Sequence, residues 1–389
     1  MRRGRAGELL GLTVSRVAEA DRAYLAEVFP ALCGIESPTG AERACAERIA
    51  AELRGLGLPV EEDDAGERAG ADCGNLHCRI PGTGERSLLL CAHMDTVPPL
   101  APVEPVLADG AWTNANEGIL GADNKAAVAV MLALARRIVA TGQPPAAGLE
   151  LLFTVSEETG LRGARALDVS RLRSAFGYVF DHASPIGEVI VASPSCDRIL
   201  AEVRGRAAHA GLHPELGRSA IVAAAKAIAA MPHGRIDEGT TVNIGTISGG
   251  SATNVVAERC LLELEARGLD EPRLGQTVTE ILDSLHEAAD SAECDLDVSV
   301  ERLCDGYRAR PGSQPVALAE RALRQCGYEP RLIASGGGSD ANALRAAGFE
   351  CINLANGTER AHEPDERVSV EALEGMLDVA IALHELSAG

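Results

Sequence analysis

Seven acidic and imidazole side chains stand at the ends of predicted strands or in the loops that follow them. They are His93, Asp95, Asp123, Glu157, Glu158, Asp181 and His362. Five carboxylates gathered at one edge of a sheet would repel one another unless cations neutralised them. Imidazole together with carboxylate suits zinc, and cobalt and manganese accept similar ligands. The pattern therefore indicates a metal centre, provided that the fold brings these distant segments together.

Apolar runs and helical periodicity predict the elements that would position this set. Residues 87–92, 149–155 and 178–180 have the continuous apolar pattern of buried strands, and each run leads into members of the set. Helical spacing predicts two helices within residues 23–56 and another over residues 126–140. Strands that alternate with helices favour a mixed α/β sheet with polar residues in the loops at its strand ends.

The pattern changes from about residue 187 and changes back from about residue 312. Between them we predict a compact α+β unit with four strands (199–203, 241–247, 260–265 and 296–300) and two helices (219–231 and 274–289). After it, helices are predicted at 316–326, 340–347 and 370–386, and strands at 331–334 and 351–354. These patterns predict a catalytic domain in two parts, residues 1–186 and 306–389, with a domain inserted at residues 187–305.

Charge and cysteine usage narrow the class of protein. Acidic residues outnumber basic ones by 57 to 36, giving a formal charge of −21, whereas binding to nucleic acid or an anionic membrane requires clustered Lys and Arg. The 11 cysteines are irregularly spaced, as expected for reduced thiols in the core of a cytoplasmic protein.

The basic start, Met1 to Arg5, precedes no sustained apolar stretch, so we expect no signal peptide. The longest apolar run, residues 126–135, is too short to span a bilayer.

Five blocks of sequence resemble signature blocks of the family of co-catalytic zinc peptidases that includes peptidase T and carboxypeptidase G. They occur in the expected order over nearly the whole chain, at residues 93–98, 121–125, 156–160, 336–342 and 361–366. The peptidase T-like branch is the most similar. The resemblance implies a mixed-sheet α/β catalytic domain with an inserted four-strand, two-helix α+β domain that serves as a lid and dimerisation surface.

The resemblance also implies how a pair of zinc ions, or cobalt or manganese in their place, is held. Asp123 would bridge the two ions; His93 and Asp181 would complete one site, and Glu158 and His362 the other. In the same family a cis peptide bond often follows the bridging residue, which implies one between Asp123 and Asn124.

The resemblance also implies catalytic roles for two further carboxylates. Asp95 would accept a hydrogen bond from His93 and fix its ring, as metal-bound histidines usually require. Glu157 would bind no metal, and would instead carry a proton from the attacking water to the leaving nitrogen of an amide.

Three residues of the inserted region, and one glycine after it, are candidates for contact with substrate. His209 matches a histidine that the family lends to the active site of the neighbouring subunit, where it would stabilise an oxyanion. Asn254 and Arg267 match residues that touch the substrate backbone or carboxylate, although a salt bridge within the lid sheet is an equal alternative for Arg267. Gly337 lies in a glycine run before a helix predicted to be capped by Ser339, where backbone amides favour an anion such as a substrate carboxylate.

These features predict a cytoplasmic, homodimeric metallopeptidase that cleaves an amide bond in a short peptide, in the manner of a tripeptide aminopeptidase. An N-acyl amino acid deacylase or a carboxypeptidase would use the same site, and the sequence leaves that alternative open. A non-catalytic metal-containing binding protein is less favoured, because Glu157 and every expected ligand are present.

Overall fold

A computed structural model describes residues 16–389 of the chain, so the basic segment at Met1 to Arg5 lies outside the described residues. The helices of the described residues are α1 (Glu19–Cys33), α2 (Arg43–Gly55), α3 (Ala65–Ala69), α4 (Ala122–Ala140), α5 (Arg162–Ala166), α6 (Ala220–Ala230), α7 (Glu271–Ser291), α8 (Gln314–Gln325), α9 (Asp340–Ala346) and α10 (Val370–Ser387).

The strands of the same residues are β1 (Val60–Glu62), β2 (Leu76–Ile80), β3 (Ser87–His93), β4 (Pro105–Ala108), β5 (Ala111–Asn114), β6 (Gly148–Thr154), β7 (Phe176–His182), β8 (Glu188–Ser193), β9 (Ser195–Arg204), β10 (Gly234–Arg235), β11 (Thr240–Gly249), β12 (Arg259–Gly268), β13 (Asp295–Cys304), β14 (Tyr307–Arg308), β15 (Arg331–Ala334), β16 (Glu350–Ala355), β17 (Thr358–Glu359) and β18 (Arg367–Ser369).

The described chain divides into two compact units. The first contains the described residues up to Ile190, together with Arg310–Ile333 and Ser339–Gly389. The second contains Val191–Ala309 and Ala334–Gly338. The sheets of each unit are described separately.

The main sheet of the first unit is mixed, as the sequence predicts. Its strands follow the order β1-β2-β6-β3-β7-β16-β8, and β3 pairs in parallel with both β6 and β7. Every residue of β6 is buried, and all but the first residue of β3, which explains why both strands are almost continuously apolar. Because parallel strands end at the same edge of a sheet, the segments that follow β3, β6 and β7 meet there.

Helix α4 begins at Ala122, four residues before the predicted start. Asp123 and Asn124 nevertheless have non-helical backbone angles, so the regular helix begins only after them. The peptide bond between these two residues is cis, which confirms the expectation from the resemblance.

A small second sheet of the first unit escapes prediction. It has four strands in the order β17-β18-β5-β4, each of only two to four residues. Trp112 of β5 packs edge-on against Phe29 of α1, with ring centroids 6.2 Å apart. This contact anchors the sheet to a core helix, and the loop between β17 and β18 carries His362.

The second unit is built on an antiparallel sheet of five strands in the order β10-β11-β12-β9-β13. The four predicted strands and two predicted helices are all present, and the two-residue β10 adds a fifth strand. Side chains of β9, β11, β12, α6 and α7 form one apolar core. Each of the four long strands is ten residues, longer than predicted, and the burial of β12 alternates along its whole length.

The cysteines and helices of the described residues agree with the expectations from composition. All eleven cysteines are free thiols, and all but Cys326 are buried. Between residues 16 and 389, no helix combines the length and the apolar character needed to cross a membrane.

Candidate metal centre

The seven candidate residues converge at one edge of the main sheet of the first unit. His93 is the last residue of β3, Asp181 lies at the end of β7, and Glu157 and Glu158 follow β6. Asp123 enters from the start of α4, and His362 from the loop between β17 and β18. The structure therefore brings together residues from five separate segments, all within one unit.

Asp123 lies at the middle of the cluster. Its Oδ1 is 3.5 Å from Nε2 of His93, which is also 3.5 Å from Oδ1 of Asp181. Its Oδ2 is 3.3 Å from Nε2 of His362, which is also 3.0 Å from Oε1 of Glu158. The two oxygens of Asp123 thus face two different imidazoles, each of which faces a second carboxylate.

The donor set fits divalent cations. Atoms of His93, Glu157 and Asp181 lie within 4.8 Å of one another, as do atoms of His93, Asp123 and Glu158. Oδ1 of Asp123 is buried and accepts no hydrogen bond, although a buried carboxylate oxygen normally has a partner. Imidazole and carboxylate donors are those that zinc prefers, so the residues present suit a pair of such ions.

The protonation equilibria of the cluster show how strongly its charges interact. Burial alone would lower the pKa of His93, but the carboxylate of Asp181 and contacts with Asp123 raise it well above its usual range. Burial and the charge of Asp123 raise the pKa of Asp181 well above that of an ordinary aspartate. Hydrogen bonds with Asp123 and Glu158 raise the pKa of His362 to about 10. Bound cations would favour ionised carboxylates and neutral imidazoles, and so relieve this competition for protons.

Asp95 has a wider role than the sequence indicates. Nδ1 of His93 lies 2.9 Å from the backbone carbonyl oxygen of Asp95 and 3.4 Å from its carboxylate, so the nearer partner is the backbone. The carboxylate instead accepts hydrogen bonds from the backbone N–H groups of Glu157 (3.0 Å) and Glu158 (3.2 Å) and from the hydroxyl of Thr39 (2.7 Å). Asp95 thus accepts from His93 mainly through its backbone, and its carboxylate orients the backbone of both glutamates.

Sequence reasoning assigned no role to Glu366, although the residue lies in the block at 361–366. Its side chain is buried and accepts hydrogen bonds from the backbone N–H groups of Leu120 (2.8 Å), Gly121 (2.7 Å) and Asp123 (2.8 Å). Glu366 therefore holds the segment that carries Asp123 in place.

Glu42 is a second buried carboxylate that the sequence did not single out. It accepts hydrogen bonds from the backbone N–H groups of Gly40 (2.9 Å) and Ser156 (3.0 Å). Ser156 has a φ of 53°, and His362 a φ of 67°, which is uncommon for residues other than glycine and concentrates at functional sites. Glu42 thus supports an unusual backbone turn directly before Glu157.

Within the second unit, the structure brings His209 and Asn254 together. The N–H of Ala210 donates to the carbonyl oxygen of Asn254 at 2.9 Å, so the two segments run side by side. His209 is exposed, and its Nδ1 accepts hydrogen bonds from the N–H groups of Gly211 and Leu212, both at 3.2 Å. The neutral ring therefore carries its proton on Nε2, which leaves that atom as a hydrogen-bond donor.

Arg267 and Gly337 also lie together in the second unit. The guanidinium of Arg267 pairs with both carboxylate oxygens of Glu265, at 2.5 and 3.0 Å, and contacts the carbonyl oxygen of Gly336 at 3.3 Å. The salt bridge that the sequence leaves open for Arg267 is therefore present. The N–H of Gly337 donates to Ser335 Oγ at 2.9 Å, so a substrate carboxylate would compete with that hydroxyl for this amide.

Comparison with known proteins agrees with the resemblance seen in the sequence. Residues 89–385 match the family described as Peptidase family M20/M25/M40. A solved tripeptidase from Staphylococcus aureus subsp. aureus Mu50 is 35% identical, with a TM-score of 0.88 over 94% of this chain and 98% of that one. Aminopeptidase PepT from Bacillus cereus ATCC 10987 is 37% identical, with a TM-score of 0.83 over 95% and 99% of the two chains.

The sequence relative YqjE, an uncharacterized protein of Bacillus subtilis (strain 168), is 37% identical over 94% of this chain and 98% of its own length. The chain belongs to peptidase family M20/M25/M40, because the family match extends over well more than half of its length. It is accordingly a metallopeptidase, and the predicted fold class and relationship to peptidase T are confirmed.

Proposed function

We propose that this chain is a di-metal hydrolase that cleaves an amide bond in short peptides, as a tripeptide-type aminopeptidase. The observation that carries the proposal is the position of Asp123, whose two oxygens face the imidazoles of His93 and His362 at 3.5 and 3.3 Å. The similarity to solved proteins named as a tripeptidase and an aminopeptidase supports the same substrate class.

The geometry supports an assignment of ligands to two cations. His93 and Asp181 would hold one, Glu158 and His362 would hold the other, and Asp123 would serve both. The donor chemistry favours zinc, with cobalt and manganese as further candidates. When bound, such a pair polarises the scissile carbonyl and lowers the pKa of water toward about 7.

Glu157 is the proton carrier in this proposal. It is only 9% exposed, and burial together with the charge of Asp181 raises the pKa of its carboxyl well above the usual range. Its backbone is held by Asp95. As the water oxygen attacks the carbonyl carbon, Glu157 accepts the proton; as the C–N bond breaks, it donates that proton to the leaving nitrogen.

The second unit corresponds in this proposal to the predicted inserted domain, residues 187–305, and serves as a lid and homodimer surface. Eight of the twelve exposed large hydrophobic side chains of the described residues lie in this smaller unit, which favours a partner surface there. His209 offers its Nε2–H to the oxyanion of a neighbouring copy, and Asn254 and Arg267 contact the substrate.

Donation across a dimer can be tested by mixing two inactive variants. His209→Ala in one subunit and Glu157→Gln in the other leave one complete site in a mixed dimer, so activity should return on mixing. Mixed dimers without recovered activity would contradict the role of His209 in trans.

We also propose that the protein works in the cytoplasm on small molecules. Its eleven cysteines are all free thiols, which suits a reducing compartment. Its charge of −21 disfavours nucleic acid as a partner.

Metal analysis combined with a small substrate panel tests the function. The panel contains a free tripeptide, its N-acetylated form and an N-acyl amino acid, and we expect two metal equivalents and fastest cleavage of the free tripeptide. Faster cleavage of the blocked substrates would favour the deacylase or carboxypeptidase instead. A metal-loaded protein that cleaves none of them would favour a binding protein.

A further inference from the structure

A cavity of about 300 Å³ opens beside Glu158 within the first unit. Its lining includes Thr39, Gly40, Gly70, Ser156, Glu158 and Arg162. The volume is at the lower end of the range of about 300–1,000 Å³ that is typical of small-molecule pockets. A cavity of this size accepts one side chain or one end of a short peptide, and a group inside it lies next to a proposed metal ligand.

The walls of the cavity are mostly apolar, with a few polar groups among them. Thr39 contributes a hydroxyl group that donates to Asp95, which connects the cavity to the metal centre, whereas the hydroxyl of Ser156 is buried and donates to Glu42. Gly70 has a φ of 76°, and a Cβ atom placed on it would meet no atom within 4 Å. The absence of a side chain there keeps that wall of the cavity open.

Arg162 is the cationic side chain of the lining. It is exposed, and its guanidinium makes a single long hydrogen bond of 3.4 Å to the carbonyl oxygen of Ala69. Among residues 16–389 no carboxylate lies within ion-pair distance of it, whereas Arg68 and Arg171 each pair with an acidic residue at 2.7 Å. In a chain with a net charge of −21, Arg162 thus keeps most of its donors available.

We propose that this cavity is a subsite for a carboxylate group of the substrate, with Arg162 as its specificity-determining residue. The proposal rests on the proposed function, because it assumes a peptide whose scissile bond lies at the metal centre. A planar guanidinium recognises a carboxylate through two parallel hydrogen bonds. The carboxylate belongs either to an acidic side chain of the peptide or to its free C-terminus.

Steady-state kinetics of the metal-loaded enzyme distinguish these two sources. In the first set, two tripeptides that differ only in Glu or Gln are compared at each of the three positions. In the second set, two tripeptides differ only in having a free or an amidated C-terminus. Arg162→Gln should lower kcat/KM for the carboxylate-bearing member by about 10-fold, mainly through KM, as expected for loss of a charge-assisted contact. If Arg162→Gln changes the ratio of kcat/KM between Glu and Gln peptides, the carboxylate is that of a side chain. If it changes the ratio of kcat/KM between the free acid and the amide, the carboxylate is the C-terminus.

Charge reversal and a matched control sharpen the test. Arg162→Glu should shift the preference from Glu-containing toward Lys-containing peptides. Arg165→Gln removes the same charge from the same short helix without altering the cavity lining, and should leave both ratios as in the wild type. Ratios that respond equally to Arg162→Gln and Arg165→Gln, or to neither, would overturn the subsite.

A binding measurement separates failure of the subsite from failure of the proposed function. Calorimetry on the metal-loaded wild type compares N-acetylglutamate with N-acetylglutamine for a side-chain carboxylate, and N-acetylalanine with N-acetylalaninamide for a C-terminal one. The carboxylate-bearing member of one pair should bind more tightly, and Arg162→Gln should abolish that difference. If the wild type cleaves no peptide, the proposed function fails, and the calorimetric result still decides the subsite. If peptides are cleaved but neither ratios nor binding depend on Arg162, the function stands and the subsite is wrong.

Discussion

The two imidazoles of the proposed metal centre lie in contrasting surroundings. His93, with Asp181, forms a buried half: its side chain is 1% exposed, and its Nδ1 lies 2.9 Å from the carbonyl oxygen of Asp95. His362, with Glu158, forms an open half: its side chain is 49% exposed, and its Nδ1 has no hydrogen-bond partner among the described residues. The end of a strand therefore fixes the buried half, while a loop presents the open half to solvent. This difference favours unequal metal affinities at the two halves. It also favours approach of the substrate from the open half.

The largest effect should come from removing the residue that both halves share. Asp123→Asn weakens metal binding at both halves at once, so we expect loss of both metal equivalents and of all detectable peptidase activity. Metal analysis after gel filtration and a tripeptide assay measure the two effects. Asp64→Asn, which changes an exposed aspartate of the same unit, serves as a control and should behave as wild type. Retention of two equivalents by Asp123→Asn would contradict the bridging role.

Glu157→Gln should separate chemistry from metal binding. The amide cannot accept the proton of the attacking water, so we expect turnover to fall by about 100- to 10,000-fold while both metal equivalents remain. Glu158→Gln is the matched control, because it changes the neighbouring glutamate and should instead lose metal from the open half. Near-normal turnover of Glu157→Gln would exclude its role as the proton carrier.

A chelator should distinguish the two halves directly. Histidine ligands whose second nitrogen is hydrogen-bonded typically bind metal about 10- to 100-fold more tightly than those without such support. We therefore expect one equivalent to leave first during dialysis against increasing chelator. His362→Ala should retain the slowly released equivalent, whereas His93→Ala should lose it. Simultaneous release of both equivalents would show that burial and the Asp95 contact do not make the halves unequal.

A smaller effect should follow from Glu366, which touches neither imidazole. Gln at this position offers one acceptor oxygen where the carboxylate receives three backbone N–H groups, so the segment with Asp123 loses support. We expect metal affinity and kcat/KM to fall by about 10-fold. Glu363→Gln, an exposed change in the same loop, should have little effect. Equal behaviour of the two variants would indicate that Glu366 does not position Asp123.

Much of this centre was predictable because its residues stand directly after apolar runs. His93, Glu157 and Asp181 each follow a buried strand, so the edge on which they meet is implied by the parallel pairing of those strands. The core strands and the longer helices were predictable for the same reason, since each carries a clear apolar pattern over many residues.

The supporting contacts were not predictable, because they depend on tertiary structure. Glu366 accepts the amide of Asp123 across 243 positions of sequence, and no local period indicates that contact. The four-stranded sheet that presents His362 has strands too short to carry an alternating pattern. The hydrogen bond from the Gly337 amide to Ser335, two residues earlier, was likewise not predictable from a periodic pattern.

The open half also depends on segments made at very different times during synthesis. Glu158 and His362 are 204 residues apart, so the ribosome adds the second long after the first strands of the sheet have been made. A nascent chain that stops before the β17–β18 loop lacks His362, one of the two proposed ligands of the open half that Asp123 does not supply. Hydrolytic capacity should therefore arise only once that late segment has folded back beside the strand ends that carry the other ligands.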